Sequence, residues 1–237
     1  MSDSEDEDDF DPLTESYLEI FVRDNREVLD QISRFKELCL HADSKEEIFE
    51  LVNLYTMILE TTFMIKIYYN RVIGWALPSK EAIGAVVNAF HKHIQTYPDA
   101  KVVDFGAGSG IFAYMFEQCG IPKDRILAVD LLNPTHSHKH QRNFFPITRY
   151  DDYEVAINDI LFIAWGSSCY RAVDSYIERG GKCVIILGEN DGCTFSSGYF
   201  IRDDDEPNQD WIIEEHYVPA ACSYLKELLT VNKRKPQ

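Results

Sequence analysis

The chain has 237 residues, 45% hydrophobic and 13% aromatic, enough to bury one generous core with an appended segment. Its formal net charge of −17 disfavours broad binding to a phosphate backbone. Six cysteines (39, 119, 169, 183, 193 and 222) include no C-x-x-C pair, which excludes the usual zinc-ribbon spacing and does not look like a secreted disulfide scaffold.

Residues 1–12 carry seven acids between Asp3 and Asp11 and few apolar groups, so they read as a disordered acidic tail with no secretory signal. Ser4 precedes Glu5-Asp6-Glu7, which suits an acidophilic kinase, although a solvated spacer is the plainer reading. Residues 13–71 repeat apolar side chains at spacings of three and four, as in Leu18, Phe21 and Val22, then Leu29, Ile32, Phe35 and Leu38. The pattern breaks at 41–44, and Ser44 with Glu47 forms a capping box for a second long helix, 45 to about 69. The expectation is a helical hairpin. The most apolar stretch, 48–69, contains Glu50, Asn53, Glu60 and Lys66, so it reads as a buried helix and not as a membrane span. A soluble, cytoplasmic or nuclear protein is expected.

Residues 72–237 read as one α/β domain. Ser79 can cap a helix from 80 to about 95. Short apolar runs follow at 101–105, 126–130, 160–165 and 182–188, with helical stretches at 111–119 and about 169–178. Buried strands alternating with helices imply a mostly parallel, Rossmann-like sheet covered on both faces.

The strongest local signal is Val102-Val103-Asp104-Phe105-Gly106-Ala107-Gly108-Ser109-Gly110, a strand entering a glycine loop and then a helix. The helix N-terminus offers N–H groups to a polar ligand, and the second run ends at Asp130, where an acid can accept both hydroxyls of a ribose. Ile111 stands where a dinucleotide fingerprint needs its third glycine, and the Gly-Lys-Ser/Thr of a P-loop is absent. The run, with Asp104 ahead of G-x-G-x-G, resembles motif I of the class I (Rossmann-like) S-adenosylmethionine-dependent methyltransferases. Arg179-Gly180-Gly181 is similar to the glycine turn before the fifth strand of that superfamily. Runs near 211–217 and 224–231 would be its antiparallel sixth and seventh strands, giving a seven-stranded sheet. Trp165-Gly166-Ser167, Gly188-Glu189 and Gly192-Cys193-Thr194 are more weakly similar to segments of uncharacterised eukaryotic methyltransferase-like proteins, a group without an activity to carry over.

The resemblance implies S-adenosylmethionine as cofactor and roles for single residues. Asp104 would hold its methionine end, while Phe105, Gly106, Ala107, Gly108 and Gly110 supply the loop backbone. Asp130 would bind the ribose, Leu131 would pack on the adenine, and Asp151 or Asp152 would accept from the adenine amino group. On the substrate side the Asn/Asp-Pro-Pro-aromatic signature of amine methylation is missing, since the chain reads Ala164-Trp165-Gly166-Ser167-Ser168. Trp165, Ser167 and Glu189 are the candidate substrate-binding residues, Trp165 as a stacking platform or a plug for the sheet end. Glu189 reads as a ligand-facing acid or as a helix cap or salt-bridge partner. No catalytic residue is legible and the methyl acceptor is unknown. His136, His138 and His140 share one face in extended backbone but follow Asn133-Pro134 in a loop, so they read as solvent-facing and no metal is expected. The rival reading is a catalytically inactive methyltransferase-like scaffold, with a nucleotide-dependent oxidoreductase behind it. A protein partner through the N-terminal helices is a further expectation.

Overall fold

A computed structural model describes residues 26–59, 64–130, 143–150, 154–166, 169–189, 210–219 and 227–236. The tail and the first part of the expected hairpin therefore lie outside the described residues.

Three helices come first: α1 (Arg26–His41), α2 (Lys45–Leu59) and α3 (Met64–Val72). The stretch read as one second helix is thus described as two, on either side of residues 60–63, which are outside the description. The cap ahead of α2 follows from its sequence. Glu47 N–H donates to Ser44 Oγ at 3.3 Å, and the Glu47 carboxylate accepts from Ser44 Oγ and from Asp43 N–H at 3.1 and 3.0 Å. Those two donors hold the Glu47 carboxyl below its ordinary value, the Asp43 backbone first.

Next comes α4 (Lys80–His93), capped by Ser79, whose Oγ accepts from Ala82 N–H at 3.2 Å. Its last turn is pinned by His93, whose Nε2–H donates to Asn158 O at 2.7 Å. The α/β part then runs β1 (Val102–Phe105), α5 (Ile111–Gln118), a short 3-10 turn (Lys123–Arg125), β2 (Ile126–Asp130), β3 (Ile147–Arg149), β4 (Ile160–Ala164), α6 (Tyr170–Glu178), β5 (Cys183–Glu189), β6 (Trp211–Val218) and β7 (Glu227–Arg234).

The seven strands order as β3-β2-β1-β4-β5-β7-β6, and the first five are mutually parallel. The expected sixth and seventh strands are present and pair antiparallel with each other. Only β7 runs against the others; β6 pairs with β7 alone and so points the same way as β5. Wholly buried runs such as Ile160–Ile163 and Val184–Leu187 fit a sheet covered on both faces.

Side-chain alternation divides the core in two. Val102, Ala128, Phe162, Ile185, Leu187 and Leu229 face one layer, which holds apolar residues from α1 to α5. Val103, Val129, Leu161, Ile163, Val184 and Ile186 face the other, where α6 contributes Val173 and Tyr176. The three N-terminal helices are thus part of the same core as the sheet. Tyr114 of α5 also donates to the Asp43 carbonyl, and Lys80 Nζ lies 5.4 Å from the Phe49 ring centroid. No helix among the described residues is long and apolar enough to cross a membrane.

Tyr176 explains the glycine turn ahead of β5. Its hydroxyl donates to Asp159 O and accepts from Lys182 N–H and Cys183 N–H at 3.0 and 3.1 Å. A Cβ on Gly181 would stand 2.2 Å from the Tyr176 ring, so only glycine lets the chain pass. Tyr176→Phe keeps the packing but takes the hydroxyl from the buried Cys183 N–H and the Asp159 carbonyl, while Lys182 N–H keeps its second acceptor, Ile157 O, at 3.0 Å. The expected loss is about 2–3 kcal/mol in urea unfolding; a loss under about 0.5 kcal/mol would mean that water replaces the hydroxyl.

Candidate functional site

The carboxyl end of β1 runs into a loop that bends back on itself through three glycines. Gly106, Gly108 and Gly110 have φ of 78°, 55° and 75°, left-handed values that disfavour any side chain. Gly106 N–H and Ala107 N–H both donate to Val129 O, at 2.8 and 3.1 Å, which hangs the loop on β2. At Gly110 space is also short, since a Cβ would lie 3.0 Å from Cβ of Phe145. Phe144 N–H donates to Ser109 O at 2.8 Å, so the segment around β3 packs on the outer side of the loop.

Gly110 is also the N-cap of α5 and offers no side chain. The carboxylate of Asp104 performs that duty from β1: its Oδ2 accepts from Ala113 N–H at 3.3 Å, within the first turn. Asp104 is only 2% exposed. Burial pushes its carboxyl up to about 7, the Ala113 N–H pulls it back, and the charge of Asp130 adds to the rise. A carboxylate in such a place has lost its hydration and is compensated by one long hydrogen bond and a helix end. A cationic ligand group is what its chemistry lacks.

Asp130, at the end of β2, lies within reach of the same loop: Gly108 N–H donates to its Oδ2 at 2.7 Å. The two acids expected from sequence are therefore brought together with the glycines between them. Ser109 is 1% exposed and its Oγ has no hydrogen-bond partner among the described residues, a polar atom within the loop for which a ligand is a fitting partner. Phe105, named for its position, turns its ring to the opposite face, edge-on to Tyr150 at 4.8 Å, so it has only backbone to give.

Across β1, the turn after β4 touches the loop directly. Cys169 Sγ stands 3.4 Å from where a Gly106 Cβ would be, and a Gly166 Cβ would meet the same sulfur at 2.7 Å. Trp165 begins that turn with φ 52°, the one left-handed non-glycine among the described residues. Its Nε1 is buried with no hydrogen-bond partner there, and Lys66 Nζ lies 5.6 Å from its ring centroid. Glu189 is 8% exposed at the end of β5, in register with Glu227 of β7. Sequence reasoning missed both Lys66 and Glu227. Lys66 shows only as an interruption in an apolar helix, and Glu227 gains its meaning from a pairing distant in sequence.

Leu131, Asp151, Asp152 and Ser167 lie outside the described residues, as do His136, His138 and His140. Among the described residues no group of three His, Cys, Asp or Glu could hold a metal ion.

No family model matches the chain, and no curated protein does. Among solved structures it is similar to the methyltransferase domain of bacterial CtHen1-CN, at 13% identity and a TM-score of 0.39, over 65% of this chain and 98% of that one. It is also similar to the plantazolicin methyltransferase BpumL in complex with a pentazolic desmethylPZN analog and SAH, at 11% identity and a TM-score of 0.41, covering 86% and 99%. A third is the precorrin-6y C5,15-methyltransferase from Geobacter metallireducens GS-15, at 12% identity and a TM-score of 0.34, covering 64% and 88%. At these identities and TM-scores the likeness carries no weight for function, which has to rest on the chemistry of the loop and its acids.

Proposed function

We propose that the chain is an S-adenosylmethionine-dependent methyltransferase whose cofactor lies across the glycine loop. The observation that carries this reading is the buried Asp104 carboxyl beneath three left-handed glycines, with Asp130 hydrogen-bonded to the same loop. A dinucleotide sets its anionic pyrophosphate against such a glycine loop, which suits a buried carboxyl poorly, whereas the methionine end of the cofactor carries an ammonium. The mainly parallel sheet agrees, since ligands of such folds bind beyond the carboxyl ends of the strands.

In this reading Asp104 holds the ammonium and, through Ala113, keeps the start of α5 in place. Gly106 and Gly108 let the backbone lie against the ligand, and Asp130 accepts the ribose hydroxyls. Leu131 would pack on the adenine, with Asp151 or Asp152 near its amino group. When bound, the cofactor supplies an already activated sulfonium methyl, so the protein mainly has to align the acceptor and exclude water. Trp165, Ser167 and Glu189 would line the acceptor side.

Titration calorimetry with S-adenosylhomocysteine tests the reading. The full chain should bind, and Asp130→Ala should weaken binding by about 10–100-fold through loss of charge-assisted hydrogen bonds. No heat of binding, or equal affinity in the variant, would leave the scaffold reading in its place.

A further inference from the structure

We propose that Lys66 of α3 occupies the methyl-acceptor position beside Trp165 and is itself methylated, so that the chain modifies one of its own primary amines. This rests on the cofactor reading above.

The placement follows from register and packing. Asp104 pairs with Phe162 on the adjacent parallel strand β4. Trp165 is three residues beyond Phe162, which puts it level with the glycine loop and about one strand spacing away. The contact of Cys169 Sγ with Gly166 and Gly106 closes the remaining gap between the two segments. The indole is held, not loosely draped: its backbone is left-handed and Trp165 N–H donates to Leu187 O at 2.9 Å. A bulky residue keeps such a φ only where its surroundings demand it.

Lys66 meets the same ring from α3. Its helix is anchored by Ile65 and Tyr69, both fully buried, and its Nζ sits 5.6 Å from the ring centroid. That is within the range at which an aromatic face attracts an ammonium. The same sheet face carries Asp104, Asp130, Glu189 and Glu227 at its ligand-binding edge, a field that favours a cationic amine over an anionic or neutral acceptor. The aromatic face and the carboxylates thus describe an amine site, and Lys66 is the amine already placed in it.

The chemistry balances with the methyl donor alone. The Lys66 ammonium gives one proton to solvent, and the Nζ lone pair forms the new bond to the methyl carbon. The carbon–sulfur bond breaks with its electron pair remaining on sulfur. Methyllysine and S-adenosylhomocysteine are the products.

Two measurements on the full chain test this. The first is an equilibrium comparison of S-adenosylhomocysteine with an analogue bearing an amine in place of the methyl-sulfonium. A cation at the transfer position is repelled by the Lys66 ammonium, so Lys66→Met should tighten the analogue about 3–10-fold and change S-adenosylhomocysteine less than about two-fold. Lys66→Arg, which keeps the charge, should leave both as in the wild type. The second is peptide mass spectrometry after incubation with S-adenosylmethionine. The peptide containing Lys66 should gain the mass of one methyl group, Trp165→Leu should slow the gain about tenfold, and Asp104→Asn should abolish it. If S-adenosylhomocysteine binds while Lys66 stays unmodified, or if Lys66→Met moves both ligands equally, the inference is overturned and Lys66 only latches α3 to the sheet. Failure of S-adenosylhomocysteine to bind overturns the cofactor reading and this inference with it.

Discussion

Asp104→Asn should separate folding from ligand binding more cleanly than any other single change. Asparagine keeps an oxygen for the Ala113 N–H and removes the charge that burial opposes. Loss of the buried ion pair with a ligand ammonium should cost about 2–4 kcal/mol of S-adenosylhomocysteine affinity. The free protein should behave oppositely. With the folded carboxyl raised to about 7 from its ordinary 3.8, the unfolded chain binds fewer protons between those values. Stability from this group is therefore fully present below about pH 4, falls as pH rises, and levels off above about 7. The slope is about 1.4 kcal/mol per pH unit. Asp104→Asn removes that slope, so the variant should unfold at higher urea than the wild type at pH 8. Ligand binding in the wild type should release a proton below pH 7 and weaken about tenfold per unit of pH there. Calorimetry in buffers of different ionisation heat reads the proton directly. A variant that lost stability at pH 8 while keeping its affinity would make Asp104 a helix cap and nothing more.

How far the sequence anticipates this site depends on how local each cause is. β1, β2, β4 and β5 are continuous apolar runs, and the structure places them within one residue of the ends that the pattern suggests. The glycine loop is equally local, because each left-handed φ needs its own glycine. β3 has only three residues and no fully buried side chain, so no periodicity could announce it. The insertion of β7 between β5 and β6 is a matter of pairing between distant segments, which propensity does not encode. The same holds for Tyr176, whose hydroxyl meets backbone from two separate stretches, at Asp159 and at Lys182–Cys183. The left-handed Trp165 was hidden for a related reason. A tryptophan after a strand reads as ordinary burial, and its left-handed φ shows only in the structure, in a turn where Cys169 Sγ leaves no room for a side chain at Gly166.

Removing residues 1–71 should leave no cooperative folded state. The helices in that stretch bury Ile32, Phe35, Leu38, Ile48, Leu51, Tyr55, Ile58, Ile65 and Tyr69 in the same core as the sheet residues Phe162, Leu187 and Leu229. Phe35, Tyr55 and Tyr69 form a chain of aromatic contacts, with centroids 6.1 and 5.1 Å apart, and Tyr69 donates to Ala76 O where the remaining chain begins. Cutting there removes helices that meet α4 at Lys80–Phe49 and α5 at Tyr114–Asp43, and whose buried side chains belong to the same apolar cluster as those of α4 and α5. Even roughly 400 Å² of newly exposed apolar surface is worth about 10 kcal/mol at most, comparable with the whole stability of a domain. The truncated chain should therefore be aggregated, or compact with fluctuating packing, and should bind a hydrophobic dye without a sharp urea transition. A milder version separates packing from deletion: Phe35→Ala in the full chain should cost about 3–5 kcal/mol, because the side chain is completely enclosed. Should the truncated protein instead stay soluble and monomeric and bind S-adenosylhomocysteine as the full chain does, the helices would be an independent module. Exposed Leu40, Met57 and Ile67 would then be the place to look for a protein partner. The shared core argues for the first outcome, since a module that folds alone has no reason to leave its neighbour's apolar face without a cover.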